Sequence, residues 1–157
     1  MAPTRPRLAV LVDADNIPVS AAARAFPAAA RLGRVTHCSI YGFLPRKFRS
    51  CWHAAAAEVP GLPAPHLVHR AGRSAAEIAL SMDAVAMRHE IDGVCILSCD
   101  ADLAQAALRL RSDGLTVHVF GSPETAKALR SAASIFHLIP AGAEARPAPA
   151  RHAEGAA

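Results

Sequence analysis

Asp13, Asp15 and Asn16 follow directly on the apolar run at 8–12, and Asp100 and Asp102 follow a second run at 94–97. A carboxylate is costly to bury unless it is paired, so acids at the ends of two buried strands need a cause. Capping is one. Asn16 can cap a helix with Pro18 in its first turn, and Asp100 can cap the next with Asp102 favoured by its dipole. Capping uses one residue per helix, however, and leaves the surplus carboxylates repelling one another. Two further acids lie on a strong helical pattern. Ser74-Ala-Ala-Glu77 has the form of a capping box, whereas Asp83 is the only charge between Ile78 and Met87 and needs a partner. Glu77 and Asp83 stand as equal candidates, one to ligate a cation directly and the other through water.

Oxygens converging from Asp13, Asp100, Asp102 and Glu77 or Asp83, with no histidine or thiolate among them, are hard-cation chemistry. Mg²⁺ or Mn²⁺ fits, held by few carboxylates with waters and substrate phosphate. Such a site can polarise a phosphodiester and activate a water for in-line attack. Asn16 would orient a ligand or substrate by hydrogen bonding.

The elements that must position these acids alternate. Strands are expected at "RLAVLVD", "RVTHCSIYGF", the end of "GLPAPHLVHR", "GVCILS", "LTVHVFG" and "SIFHLI". Helices are expected over 17–31 with an interruption at Pro27, over "RKFRSCWHAAAAEV", over 74–89, over 101–111 with Asp113-Gly114 as its stop, and from Pro123. Alternating strands and helices predict an α/β fold whose parallel sheet is covered on both faces. Sites in such sheets form beyond the carboxyl ends of the strands, near the switch in strand order. Both acidic clusters fall there.

A chain of 157 residues, 52% apolar and 19% charged, is one globular domain with a real core. Its apolar runs fall well short of the ~20 residues a membrane span needs, and the N-terminus lacks the pattern of a signal peptide. A cytoplasmic protein with no membrane partner is expected. The four cysteines (Cys38, Cys51, Cys95 and Cys99) have no zinc spacing, and read as free, largely buried thiols. The eight histidines show no ligand motif. A net charge of +4, nearly all arginine on the basic side, permits a nucleic-acid partner without requiring one.

In their order, "LVDADNI", "YG", "RSAAEIALSMDA", "ILSCDADL", "LRSDGLTVHVFG" and "SIFHLI" resemble the NYN domain family of PIN-like, metal-dependent ribonucleases. The resemblance spans 8–139, between a flexible N-terminus at 1–7 and a disordered alanine- and proline-rich tail at 140–157. It implies a PIN-like three-layer α/β/α sandwich around a central, mainly parallel sheet. It also implies an acidic site on Asp13, Asn16, Glu77, Asp83, Asp100 and Asp102 that uses Mg²⁺ or Mn²⁺ to hydrolyse RNA. The chain departs from the family pattern at Phe43, Arg73, Glu77, Cys99 and Leu103.

For RNA as the partner, Arg46, Lys47, Arg49, Arg70 and Arg73 would fix phosphates, and Trp52 would either stack a base or sit in the core. Two other readings compete. Asp13-x-Asp15 after a strand is similar to the nucleophile and acid of haloacid dehalogenase-type phosphatases. A non-catalytic, RNA-binding relative is the other. The sequence leaves a homodimer open.

Overall fold

The computed structural model describes residues 2–142. Its first strand, β1 (Arg7–Asp13), carries five consecutive residues, Leu8 to Val12, with no more than 1% exposure. Such a run must be covered on both faces, and it sits at the centre of the sheet. β2 (Arg34–Gly42) and β3 (His66–His69) lie to one side of β1, and β4 (Gly93–Leu97), β5 (Thr116–Gly121) and β6 (Ile135–Leu138) to the other. The order is β3-β2-β1-β4-β5-β6, with every pairing parallel. The order reverses between β1 and β4, so the two strands that end in acids are neighbours.

Five helices connect the strands: α1 (Val19–Leu32), α2 (Arg46–Ala57), α3 (Ala75–Ala86), α4 (Ala104–Ser112) and α5 (Lys127–Ala132). They form two layers. Leu8, Val10 and Val12 pack with Phe26 of α1 and Trp52 of α2 on one face. Ala9 and Leu11 pack with Leu80 of α3, Leu110 of α4 and Leu129 of α5 on the other. Strand alternation therefore turns the side chain after Leu11 on that face, Asp13, towards α3.

Several boundaries differ from the sequence expectation. α1 runs unbroken through Pro27. The proline is exposed on the solvent side, and the buried stripe of Ala22, Ala25, Phe26 and Ala29 holds the helix across the missing N–H. The helix expected from Pro123 starts only at Lys127, because Ser122 and Thr125 hold a turn first. Ser122 Oγ accepts from the Glu124 N–H at 3.2 Å, and Thr125 Oγ1 donates to the Ser122 carbonyl at 2.8 Å. The helix expected from Ala101 opens with a 3₁₀ turn, Ala101–Leu103. The expected tail beyond 142 lies outside the described residues.

The thiols of Cys38 and Cys95 are buried and pushed up to about 12 by that burial, which keeps them protonated and inert. Cys51 is exposed, contrary to the general expectation of burial, because it faces away from the packed side of α2. Among the described residues no helix is long and apolar enough to cross a membrane.

His118 of β5 and His137 of β6 share a hydrogen bond of 2.9 Å between Nδ1 and Nε2, and His137 stacks on Phe120 at 4.4 Å between ring centroids. Burial holds both imidazoles below the usual histidine range, and for His118 a charge on His137 adds to the effect. The folded protein therefore favours the neutral rings. Their stabilisation is complete above about pH 6.5 and is lost as pH falls through the lowered folded values. A thermal-melt series from pH 7 to pH 5 should show His118→Gln losing less stability with acidification than the parent. An equal or steeper loss would contradict this account.

Candidate metal centre

Three elements deliver the acids. Asp13 is the last residue of β1, Glu77 lies in the first turn of α3, and Asp100 caps the turn that follows β4. One carboxylate oxygen from each lies within 4.8 Å of the other two. Asp13 is fully buried and Glu77 nearly so, at 0% and 7% exposure.

Two side chains hold Asp13 in place. Asn16 Nδ2 donates to Asp13 Oδ2 at 2.6 Å, and Ser98 Oγ donates to the same oxygen at 2.7 Å. Asp13 Oδ1 has no hydrogen-bond partner and is buried. A bare carboxylate oxygen inside a protein is expensive, and here it belongs to a set of three acids. An all-oxygen donor set with an unsatisfied buried oxygen suits a hard divalent cation. The residues present fit such an ion.

The electrostatics agree. Burial is the main cause that raises the Asp13 pKa, with the charges of Asp15 and Asp100 adding to it, against lowering by the bonds from Ser98 and Asn16. Burial also leads in raising Glu77, followed by the charge of Asp13 and by a hydrogen bond to, and the charge of, Asp100. Without a cation, burial and mutual repulsion make the ionised forms of Asp13 and Glu77 less favourable than in water.

Asn16 does not cap α1. The residue before that helix is Pro18, and the Asn16 amide instead bridges Asp13 to Glu77 Oε1, the latter at 3.3 Å. Asp100 caps the turn and also stands in the acidic set. Its Oδ1 accepts from the Asp102 N–H at 2.9 Å while its carboxylate belongs to the acidic set. Asp102 is exposed at the rim, outside that set, with Ser74 Oγ donating to its Oδ2 at 3.4 Å. The capping box does not form: Ser74 takes a left-handed conformation, φ 59°, and makes no side-chain cap bond.

Glu77 and Asp83 point to different neighbours. Asp13 pairs in register with Tyr41 of β2, and α3 crosses both. Glu77 meets Asp13, whereas Asp83, six residues on and about 9 Å further along the axis, receives the Tyr41 hydroxyl at 2.8 Å. Asp83 thus has its required partner away from the acidic set. Burial, then the bond to and charge of Asp83, push the Tyr41 phenol up.

Ser98 is the positioning residue that spacing alone did not reveal as such. It is fully buried, and besides holding Asp13 its Oγ accepts from the Asp100 N–H at 3.1 Å. A hydroxyl closing an otherwise apolar strand was the available signal.

Asp15 points elsewhere. Its Oδ1 accepts from the Phe43 N–H at 2.9 Å, and a Cβ on Gly42 would come within 2.7 Å of the same oxygen. That commitment to the end of β2 is unlike the freely acting second acid a phosphatase needs. Of the proposed phosphate contacts, Arg46, Lys47, Arg49, Arg70 and Arg73 are all exposed. Arg46, Lys47 and Arg49 begin α2, while Arg70 and Arg73 lie between β3 and α3. Trp52 is a core residue with 5% exposure and cannot stack a base without leaving the core.

A family model for the NYN domain matches residues 7–140. Among solved structures, the chain is similar to VPA0982 of Vibrio parahaemolyticus RIMD 2210633, described as a protein of unknown function. The two are 19% identical with a TM-score of 0.71, over 89% of this chain and 96% of that one, a likeness of fold. No curated protein matches the chain significantly.

The raised acids set a stability test. A carboxyl whose folded pKa is raised stabilises the fold below its unfolded range, about pH 4, and loses that contribution as pH rises through the folded value. Glu77→Gln should therefore raise the melting temperature of the metal-free protein at pH 7, with the gain vanishing near pH 4. It should also shrink the stabilisation that added Mn²⁺ gives the parent. A drop at pH 7 would show that the Glu77 charge supports the fold instead.

Proposed function

Because the chain belongs to the NYN domain family, we propose that it is a metal-dependent ribonuclease that hydrolyses RNA phosphodiester bonds at its acidic cluster. The observation that carries this reading is the convergence of Asp13, Glu77 and Asp100 around the unpaired, buried Asp13 Oδ1.

Asp13, Glu77 and Asp100 would hold Mg²⁺ or Mn²⁺. The ion supplies Lewis acidity to the phosphodiester and its attacking water. The chain supplies the rest. Ser98 and Asn16 aim Asp13 by occupying one of its oxygens, so the other keeps a fixed direction. Ser98 also ties Asp100 to Asp13, making the set a single preorganised unit. Asp102, solvent-open at the rim, would take the proton of the attacking water as the water oxygen bonds to phosphorus, and would return a proton to the leaving oxygen as its bond to phosphorus breaks. Asp83 acts indirectly, bracing Tyr41 beside Asp13.

Arg46, Lys47, Arg49, Arg70 and Arg73 neutralise the RNA backbone along the strand ends. Their contacts carry no base information, so they position RNA without selecting its sequence. Arg49 Nε is already used on the Leu44 carbonyl at 3.0 Å, which fixes the guanidinium and leaves its outer nitrogens for phosphate.

Incubation of mixed labelled RNAs with Mn²⁺ or Mg²⁺, with and without chelator, is the direct test. Cleavage should require the ion and should fall by a factor of about 10² or more in Asp13→Asn, while RNA binding persists. Cleavage that survives chelation, or an Asp13→Asn protein as fast as the parent, would sink the reading. Chelator-resistant RNA binding with no cleavage under any ion would favour the non-catalytic alternative.

A salt titration tests the basic path. The logarithm of affinity should fall linearly with the logarithm of salt, and Arg70→Ala should flatten that slope by about one unit while weakening all sequences alike. An unchanged slope would remove Arg70 from the path.

A further inference from the structure

Phe43 and Phe48 are exposed, at 62% and 49%, on the same side of the sheet end as the arginines. Single exposed apolar residues are ordinary. Phe43 differs in that the backbone beneath it is tied down. Its N–H donates to Asp15 Oδ1 at 2.9 Å, the next N–H, of Leu44, donates to His69 Nδ1 at 2.9 Å, and Leu44 itself is buried. Just before it, the Gly42 carbonyl accepts from the Arg70 N–H at 2.8 Å. Gly42 has φ 147°, a backbone state that side chains rarely adopt, and it allows Asp15 to approach. The Phe43 ring leans on the His69 imidazole, 5.5 Å between centroids at 50°, which leaves the ring largely in solvent. The protein thus fixes the backbone that presents an aromatic ring the core does not use.

Its surroundings say what the ring would meet. Arg46 and Lys47 follow it in sequence, Arg70 follows His69, the partner of Gly42 in the β2–β3 pairing, and Lys47 Nζ sits 4.9 Å over the Phe48 ring. Exposed aromatics interleaved with cations complement a polyanion that carries flat apolar faces. The patch and the acidic centre lie at the same, carboxyl end of the sheet. Tyr41 pairs with Asp13, and Phe43 lies two residues further, about 7 Å along the strand direction.

We infer that Phe43 is a stacking platform for an unpaired nucleobase near the reacting phosphate, and that it makes the site prefer single-stranded over duplex RNA. The inference rests on the RNA reading above and names the form of RNA that the site takes. A base inside a duplex has both faces covered by its neighbours, so only an unpaired base can offer a face to the ring.

The test is fluorescence titration in EDTA of a single-stranded RNA containing 2-aminopurine, and of the same RNA annealed to its complement. Phe43→Ala and Phe43→Leu should each bind the single strand about tenfold more weakly and leave duplex affinity unchanged, while Phe43→Trp should match or exceed the parent. Phe43→Leu keeps apolar bulk and loses the ring, separating stacking from simple hydrophobic contact. Because the side chain is exposed, melting temperatures should be unaffected.

Parent-like binding by Phe43→Leu, equal losses for both RNA forms, or a parent that binds single strands no better than duplex would each overturn the inference. So would a parent that self-associates in sedimentation while Phe43→Ala does not, since the patch would then belong to a protein interface. A parent that shows the Phe43-dependent preference yet cleaves nothing in Mn²⁺ would refute the nuclease reading and leave this one standing. Cleavage without any Phe43 dependence would do the reverse.

Discussion

The two hydrogen bonds that Asn16 and Ser98 donate to Asp13 Oδ2 allow a carboxylate to end a fully buried strand. Each of these residues also reaches another acid, Asn16 to Glu77 and Ser98 to the amide of Asp100. The arrangement therefore couples three elements through one oxygen atom. It leaves the second oxygen of Asp13 bare, and it brings the charges of Asp13, Glu77 and Asp100 close enough to repel one another. Stability of the empty protein and readiness for a cation pull in opposite directions at these residues.

Most of the architecture was legible because apolar runs with no alternation leave few alternatives to a covered parallel sheet. β1 falls on the run "RLAVLVD", and the rule for sites at the carboxyl ends of strands pointed to Asp13 and Asp100. What could not be read depended on rotation about an axis. Glu77 and Asp83 occupy one helix, and only the crossing of α3 over Asp13 and Tyr41 separates a member of the acidic set from a hydroxyl acceptor. Trp52 and Phe43 show the same limit for aromatics: the larger ring fills the space beneath α2, and the smaller one is left outside. Local polar contacts hid the rest, as when Ser122 and Thr125 delay α5.

Charge is partitioned along the rim of the sheet. The acids gather where β1 and β4 end, at the reversal of strand order, while Arg46, Lys47, Arg49, Arg70 and Arg73 lie around the ends of β2 and β3. Asp15 stands at the border, where its Oδ1 accepts from the Phe43 N–H. A polyanion lying across this rim would meet cations first and acids at one place only.

The strand order also governs how the molecule is made. β1 is emitted first, yet its second neighbour, β4, ends at Leu97. Until then the amino-terminal half has a bare, apolar strand edge open to other chains. Parallel pairings across such sequence separations are closed late and slowly, because loop entropy is lost before contacts repay it. Asp13 meanwhile waits for Ser98, so the acidic residues assemble only once the chain through β4 and Ser98 has been made. A truncated or stalled chain would hold neither half of the acidic cluster in register, and would keep that apolar edge open to chaperones.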